Sequence, residues 1–236
     1  MRLVRRRRQA ILQSPTEGAS DTEPAPSPVE ETRLDGEAVG PENTDVPSDD
    51  VRASTAGQLQ VAFRRTDRVL ILGDVETGKT FLAGKIVASA PRRIILTPHH
   101  DDWTDEPNRI IVTTPEQLLD GVGKALELGN LVCVIDDMDI LVKKTEKDPR
   151  MNLLLMGPRH RGIGWVMISR RTADLPTLVF STANKVFIFQ TDLPQDLETF
   201  REFYNCAEAV QGLNRLQHQT LFIDRETKKR QVIVAV

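Results

Sequence analysis

The stretch Gly73-Asp-Val-Glu-Thr-Gly78-Lys79-Thr80 sets two glycines, a lysine and a hydroxyl at a spacing that suits one task, holding a polyphosphate. Glycines let successive backbone N–H groups curl round an anion, and a helix that starts at the second one adds the positive end of its dipole. Gly73, Asp74, Val75, Glu76, Thr77, Gly78, Lys79, Thr80 and the following Phe81 are therefore the candidate nucleotide-binding residues. Lys79 would reach the β- and γ-phosphates of ATP, and the Thr80 hydroxyl would hold Mg²⁺. A second group, Asp136-Asp137-Met-Asp139, ends the apolar run Leu131 to Ile135. Asp136 is the other candidate Mg²⁺ ligand, directly or through water, and Asp137 is placed to polarise an attacking water or to cap a helix. Asp139 is expected to be a cap or a solvated carboxylate.

These groups need elements that bring them together. Val69 to Leu72 reads as a buried strand running into the glycine loop, and an apolar pattern at helical spacing follows it over 79–89. Further strands are expected at 93–97, 109–113, 131–135, 164–168 and 185–189, with helices at 115–127, 149–160, 174–183 and 194–206. Thr114-Pro115 and Asp148-Pro149 each give an N-cap followed by proline at the first turn. Short β-branched strands separated by helices imply a mainly parallel sheet covered on both faces. In such a sheet, ligands bind beyond the C-terminal ends of the strands, where both the glycine loop and the acids fall. Residues 219–236 read as a closing β-hairpin around a charged turn, Arg225 to Arg230. The expected fold is an α/β P-loop NTPase sandwich of the additional-strand type, its central sheet mainly parallel, with a C-terminal hairpin and a disordered N-terminal tail.

The tail shows in the charge distribution. The net charge of −3 conceals a basic head, residues 1–14, which carries Arg2 and Arg5 to Arg8 and no acid. Residues 15–55 hold eleven acids against two arginines, and no aromatic residue precedes Phe63. A segment of this composition buries too little apolar surface to offset its chain entropy. The expected organisation is a basic segment at 1–14, a disordered acidic Pro-rich linker at 15–56 and a P-loop ATPase domain at 57–236. The basic head suits either a short helix that touches phosphates or an anionic membrane, or a solvated arm folded back on the acidic stretch. No apolar run is long enough for a transmembrane helix, and no secretory signal is recognisable. Cys133 and Cys206 are expected as reduced core thiols. The pair His99-His100 lacks further ligands nearby in sequence, so no zinc site is expected; these residues would face the nucleotide or a neighbouring subunit. The loop Lys143 to Arg150 suits DNA phosphates and a solvated surface equally.

A third group, Arg159-His-Arg161-Gly-Ile-Gly-Trp-Val-Met-Ile-Ser169-Arg170-Arg171, followed by Asp174-Leu-Pro176, completes a pattern with the glycine loop, the acidic strand end and the final Phe-Ile-Asp-Arg hairpin. The ordered set, over residues 66–236, resembles the FtsK/HerA superfamily of DNA-pumping ATPases, and within it the genome-packaging ATPases of double-stranded DNA viruses with an internal membrane. The resemblance implies a homo-oligomeric ring, usually a hexamer, that hydrolyses ATP and moves double-stranded DNA without reading its sequence. It implies a place at a virion vertex or in the host cytoplasm, with capsid-vertex or membrane proteins as further partners. By the same resemblance Arg159 or Arg161 would be an arginine finger entering the neighbouring site. Arg170 stands where the family usually has Gln or Asn as a γ-phosphate sensor. A cellular or conjugative DNA pump, a phage assembly or extrusion ATPase, and a nucleotide-dependent switch or scaffold remain alternatives. Deleting residues 1–55 is expected to leave the midpoint of thermal unfolding unchanged, because the segment contributes no core; a lower midpoint in a melting experiment would contradict this.

Overall fold

The computed structural model describes residues 62–145, 147–157 and 159–235, with the side chain of Arg159 excepted. The chain divides into two units, Met1–Pro47 and Ser48–Val236, and every described residue belongs to the second. The expected basic head, acidic linker and boundary near Gly57 lie outside the described residues.

Eight strands form one sheet in the order β3-β2-β4-β5-β1-β6-β7-β8. They are β1 (Arg68–Leu72), β2 (Arg93–Thr97), β3 (Arg109–Ile111), β4 (Val132–Ile135), β5 (Gly164–Ser169), β6 (Lys185–Phe189), β7 (Gln219–Asp224) and β8 (Lys229–Val234). All pairings from β3 to β6 are parallel, and β6–β7 and β7–β8 are antiparallel. The strand between the P-loop strand β1 and the acid-bearing strand β4 comes from downstream: β5 pairs Leu70 with Met167 and Val134 with Val166. The two strands that lie between the motifs in sequence, β2 and β3, extend the sheet beyond β4. At the antiparallel end, Lys185 pairs across strands with Asp224, their buried side chains 3.0 Å apart, which pins the register.

Alternation along the strands divides the core in two. Leu70, Leu72, Cys133, Ile135, Trp165 and Met167 face a layer of α2 (Pro115–Leu128), α4 (Pro149–Leu155), α5 (Thr177–Thr182), α6 (Pro194–Tyr204) and α7 (Ala207–Gln211). Val69, Ile71, Val134, Val166, Ile168 and Phe187 face α1 (Lys79–Val87), with Phe63 and Trp103 packed at its margins. Both cysteines are free and buried in the core, and burial pushes each thiol up to about 12.

Both expected N-caps form: Thr114 Oγ1 accepts from Gln117 N and Asp148 Oδ1 from Arg150 N. Two helix boundaries differ most from the sequence reading. α4 stops at Leu155, because Gly157 at φ 71° takes the chain out of the helix before a 3₁₀ turn, Arg159–Arg161. α5 starts at Thr177, because Pro176 before it is extended, with ψ 137°. Two short helices, α3 (Met138–Leu141) and α7, were not expected; each is too short to set up a periodic pattern.

Gly164, the first residue of β5, sits where a Cβ would lie 2.1 Å from the Arg65 carbonyl oxygen and 2.5 Å from that of Asp67. Both are backbone atoms and cannot rotate away. Gly164→Ala is expected to cost about 2 kcal/mol or more and to lower the thermal midpoint by roughly 5 °C or more; an unchanged midpoint would mean that β1 and β5 approach less closely than described.

Candidate active site

The loop between β1 and α1 takes a left-handed backbone at three positions, Gly73 (φ 149°), Glu76 (φ 62°) and Gly78 (φ 96°). Gly73 has a second reason to lack a side chain, because a Cβ there would meet Phe189 Cβ at 2.6 Å. Gly78 caps α1 without a side-chain bond, leaving the first backbone N–H groups of the helix open to an anion. Lys79 is buried and its Nζ donates to the Asp74 carbonyl at 2.5 Å, while Thr77 Oγ1 donates to the same oxygen. Burial lowers the Lys79 pKa; Asp137, Asp136 and Asp139 pull it back up and Arg170 opposes them. The lysine, the acids and Arg170 therefore share one electrostatic neighbourhood at one edge of the sheet.

Asp136 is 1% exposed. Its Oδ2 accepts from Trp103 Nε1 at 2.8 Å, and its Oδ1 accepts from the Asp137 backbone N–H at 3.1 Å. Burial pushes its pKa from 3.8 up to about 6 against the pull of the Trp103 bond. Asp137 adopts φ 46° and makes no side-chain cap to α3. Its Oδ2 lies 2.6 Å from His99 Nε2, its Oδ1 is 3.7 Å from Arg170 Nε, and the carboxylate raises the His99 pKa. Asp139 is neither a cap nor solvated. Its Oδ1 accepts from Ser169 Oγ at 2.9 Å and from Arg170 N at 3.0 Å, tying α3 to the end of β5 because β4 and β5 are neighbours.

The predicted arginines separate. Arg170 stands with the acids at the C-terminal end of β5. Arg161 precedes β5, at the opposite edge, where it is exposed and its Nη1 donates to the Leu126 carbonyl at the end of α2. Arg159 lies in the same 3₁₀ turn. Neither arginine belongs to the P-loop edge of its own chain. Phe81 and Val75 are exposed beside the loop.

Sequence reading missed four contacts. Trp103 and His99 hold the two acids from the segment that joins β2 to β3. Arg215 Nη2 donates to the Val75 carbonyl at 2.8 Å, and His218 Nδ1 lies 3.1 Å from the Thr77 carbonyl, so the approach to β7 braces the glycine loop. The partners lie 33 to 141 residues apart in sequence, and only the adjacent histidines gave any signal. Among the described residues no group of three or more His, Cys, Asp and Glu is placed to hold a metal. No described helix is long and apolar enough to cross a membrane.

The chemistry of the donors suits a hard divalent cation held partly by the protein and partly by phosphate. Asp136 is a buried carboxylate, and no lysine or arginine among the described residues forms an ion pair with it. Thr80 is the second residue of α1, directly after the lysine. Asp136 and Thr80 are the residues that would hold Mg²⁺, which when bound would neutralise charge on the phosphates.

Sheet order, the glycine loop after β1 and the acid-tipped strand β4 one strand away give this chain a P-loop NTPase fold. No family model matches the sequence, and no curated protein matches it. Solved structures do. The genome packaging NTPase B204 from Sulfolobus turreted icosahedral virus 2, in complex with sulfate, superposes with a TM-score of 0.61 at 20% identity over 72% of this chain and 96% of that one. In complex with ATP-γS the same NTPase gives a TM-score of 0.60 at 19% identity, over 72% and 98%. The pCW3 conjugation coupling protein TcpA with ATP-γS gives 0.53 at 13% identity, over 73% of this chain and 61% of that one.

Because the folded pKa of Asp136 lies above its unfolded value, the protonated form favours the fold. That contribution is complete below pH 3.8 and is lost as pH rises through about 6. Asp136→Asn removes the titration, so the stability of this variant relative to the parent is expected to rise between about pH 4 and pH 7, by at most about 3 kcal/mol, in ligand-free protein. Parallel melting curves at each pH check this; a difference that stays flat with pH would contradict the burial of an unneutralised carboxylate.

Proposed function

We propose that this chain hydrolyses ATP with Mg²⁺ to move double-stranded DNA, and that it packages a viral genome into a preformed capsid. The observation that carries the reading is the convergence of Lys79, Asp136, Asp137 and Arg170 on the edge where the glycine loop opens, in a fold shared with a viral genome packaging NTPase. In this reading the loop N–H groups and Lys79 bind the β- and γ-phosphates, Thr80 and Asp136 hold Mg²⁺, and Asp137 polarises the attacking water. Arg170 sits close enough to Asp137 to sense the γ-phosphate as a cation. Phosphoryl transfer of this kind is catalysed mainly by positioning and charge stabilisation.

The remaining charge comes from a neighbouring copy. Arg161 or Arg159, in the turn that precedes β5 at the edge away from their own P-loop, would be the finger in another subunit's site within a homo-oligomeric ring such as a hexamer. The exposed Lys143 and Lys144, just past α3, offer phosphates a sequence-independent grip. A capsid vertex or membrane protein as docking partner, and a working place at the vertex or in host cytoplasm, belong to the packaging reading. The domain boundary near residue 57 and the role of residues 1–14 as a DNA or membrane contact are part of the same proposal. The likeness in fold to a conjugation coupling protein favours one second reading, a conjugative DNA pump.

The test is ATP turnover with and without double-stranded DNA. Lys79→Ala is expected to abolish turnover, and DNA is expected to stimulate the parent protein. The finger variant, Arg159→Ala or Arg161→Ala, is expected to bind ATP and assemble yet lose on the order of 10³-fold in rate. Mixing it with Lys79→Ala protein restores some turnover, because the latter subunit lends its intact arginine. Full activity in both arginine variants, or in a monomer, would leave a switch or scaffold as the better account.

A further inference from the structure

One segment, residues 98–108 between β2 and β3, reaches both acids. Trp103 Nε1 donates to Asp136 Oδ2 at 2.8 Å, and four residues earlier His99 Nε2 meets Asp137 Oδ2 at 2.6 Å. The segment is held stiffly for this. Arg109, opening β3, donates from Nη1 to the carbonyls of His100 and Asp102, both at 2.7 Å. Arg93, opening β2, forms a bidentate pair with Glu106 at 2.7 and 2.8 Å, and the same guanidinium donates to the Ala90 carbonyl. Glu106 N returns to the Trp103 carbonyl. Within this brace Trp103 adopts φ 59°, a left-handed backbone that a bulky side chain takes only when its surroundings impose it. The ring packs at the margin of the apolar layer around α1, so its N–H is aimed from a fixed base. Asp137 is itself left-handed.

We infer that the 98–108 segment is a positioning element in which Trp103 orients Asp136 as a cation ligand and His99 orients Asp137 toward the attacking water. The inference rests on the roles proposed above for these two acids. Neither Trp103 nor His99 touches phosphate in this scheme; each acts through a carboxylate. Asp at position 137 is one methylene shorter than Glu, and its carboxylate can turn about χ2. With Oδ2 engaged by His99, Oδ1 is left on the side of Arg170, so one orientation of the plane is selected. Groups that hold a metal-ligating carboxylate from behind typically change metal affinity by about tenfold or more when removed.

The two contacts serve different steps, so their losses separate. Trp103→Phe keeps an aromatic, though smaller, ring and removes the donor; it is expected to raise the Mg²⁺ concentration for half-maximal binding of a fluorescent ATP analogue by about tenfold, with excess Mg²⁺ relieving the defect. His99→Ala is expected to lower kcat about tenfold or more with the loss in kcat and not in KM, since it misorients a group used in the transition state. His99→Gln, whose amide N–H can still donate to Asp137, is expected to recover a good part of that kcat. All three should fold, checked by melting. An unchanged Mg²⁺ requirement in Trp103→Phe, an unchanged kcat in His99→Ala, or a Gln variant no better than Ala would overturn the inference. Asp136→Asn and Asp137→Asn run alongside: if these two are defective while the loop variants behave as the parent, the positioning role alone fails, and if they too are normal, the underlying site assignment fails.

Discussion

A carboxylate buried at the end of an apolar strand, with no ion-pair partner among the described residues, is the constraint around which the site is arranged. Taking such a charge out of water is costly unless hydrogen bonds or an opposite charge compensate. Asp136 receives an indole N–H, a backbone N–H and, at 3.5 Å, the Thr97 hydroxyl, and burial raises its pKa to about 6. A few residues away in space the buried Lys79 is pushed the other way, its ammonium resting on a carbonyl of its own loop. Each charge is incompletely compensated in the protein alone. A magnesium–triphosphate ligand brings both complements at once, phosphate for the lysine and a cation for the acid, which is the physical sense of the proposed assignment.

Everything else follows from how the chain brings these two groups to one edge. Threading β5 between β1 and β4 does more than add a strand: Leu72 pairs with Ser169, so the P-loop and the Ser169-Arg170 turn leave the sheet at the same level. Asp139 then closes the arrangement by accepting from both residues of that turn. The same strand has its other end among the arginines of the Arg159–Arg161 turn. One element thus leads into a polar turn at the candidate site and begins, at the opposite edge, just after the exposed Arg161.

Much of the architecture was legible because it depends on local rules. Alternating apolar runs, the Thr114-Pro115 and Asp148-Pro149 starts and the glycine loop between strand and helix each specify their element without help from distant residues. The fold class, the eight strands and the position of the glycine loop between β1 and α1 follow from such signals. Failures arose where the rules are weak or non-local. One-turn helices such as α3 have no period to read, and Gly157 ended α4 by conformation within a stretch whose apolar spacing alone predicts continuation. Asp139 looked like a cap because nothing in sequence joins it to Ser169, thirty residues on. Trp103, Arg215 and His218 were missed for the same reason: a single polar atom in a connecting segment gains its meaning only when the sheet order sets its partner beside it.

Hydrolysis alone does not make a motor; the central claim is that turnover is coupled to movement along a duplex. Displacement of a third strand from a triplex on linear double-stranded DNA measures that coupling directly. Displacement is expected to require ATP and Mg²⁺, to fail with ATP-γS and to be independent of the duplex sequence. A protein that turns over ATP in the presence of DNA at its full rate yet leaves the triplex intact would contradict it.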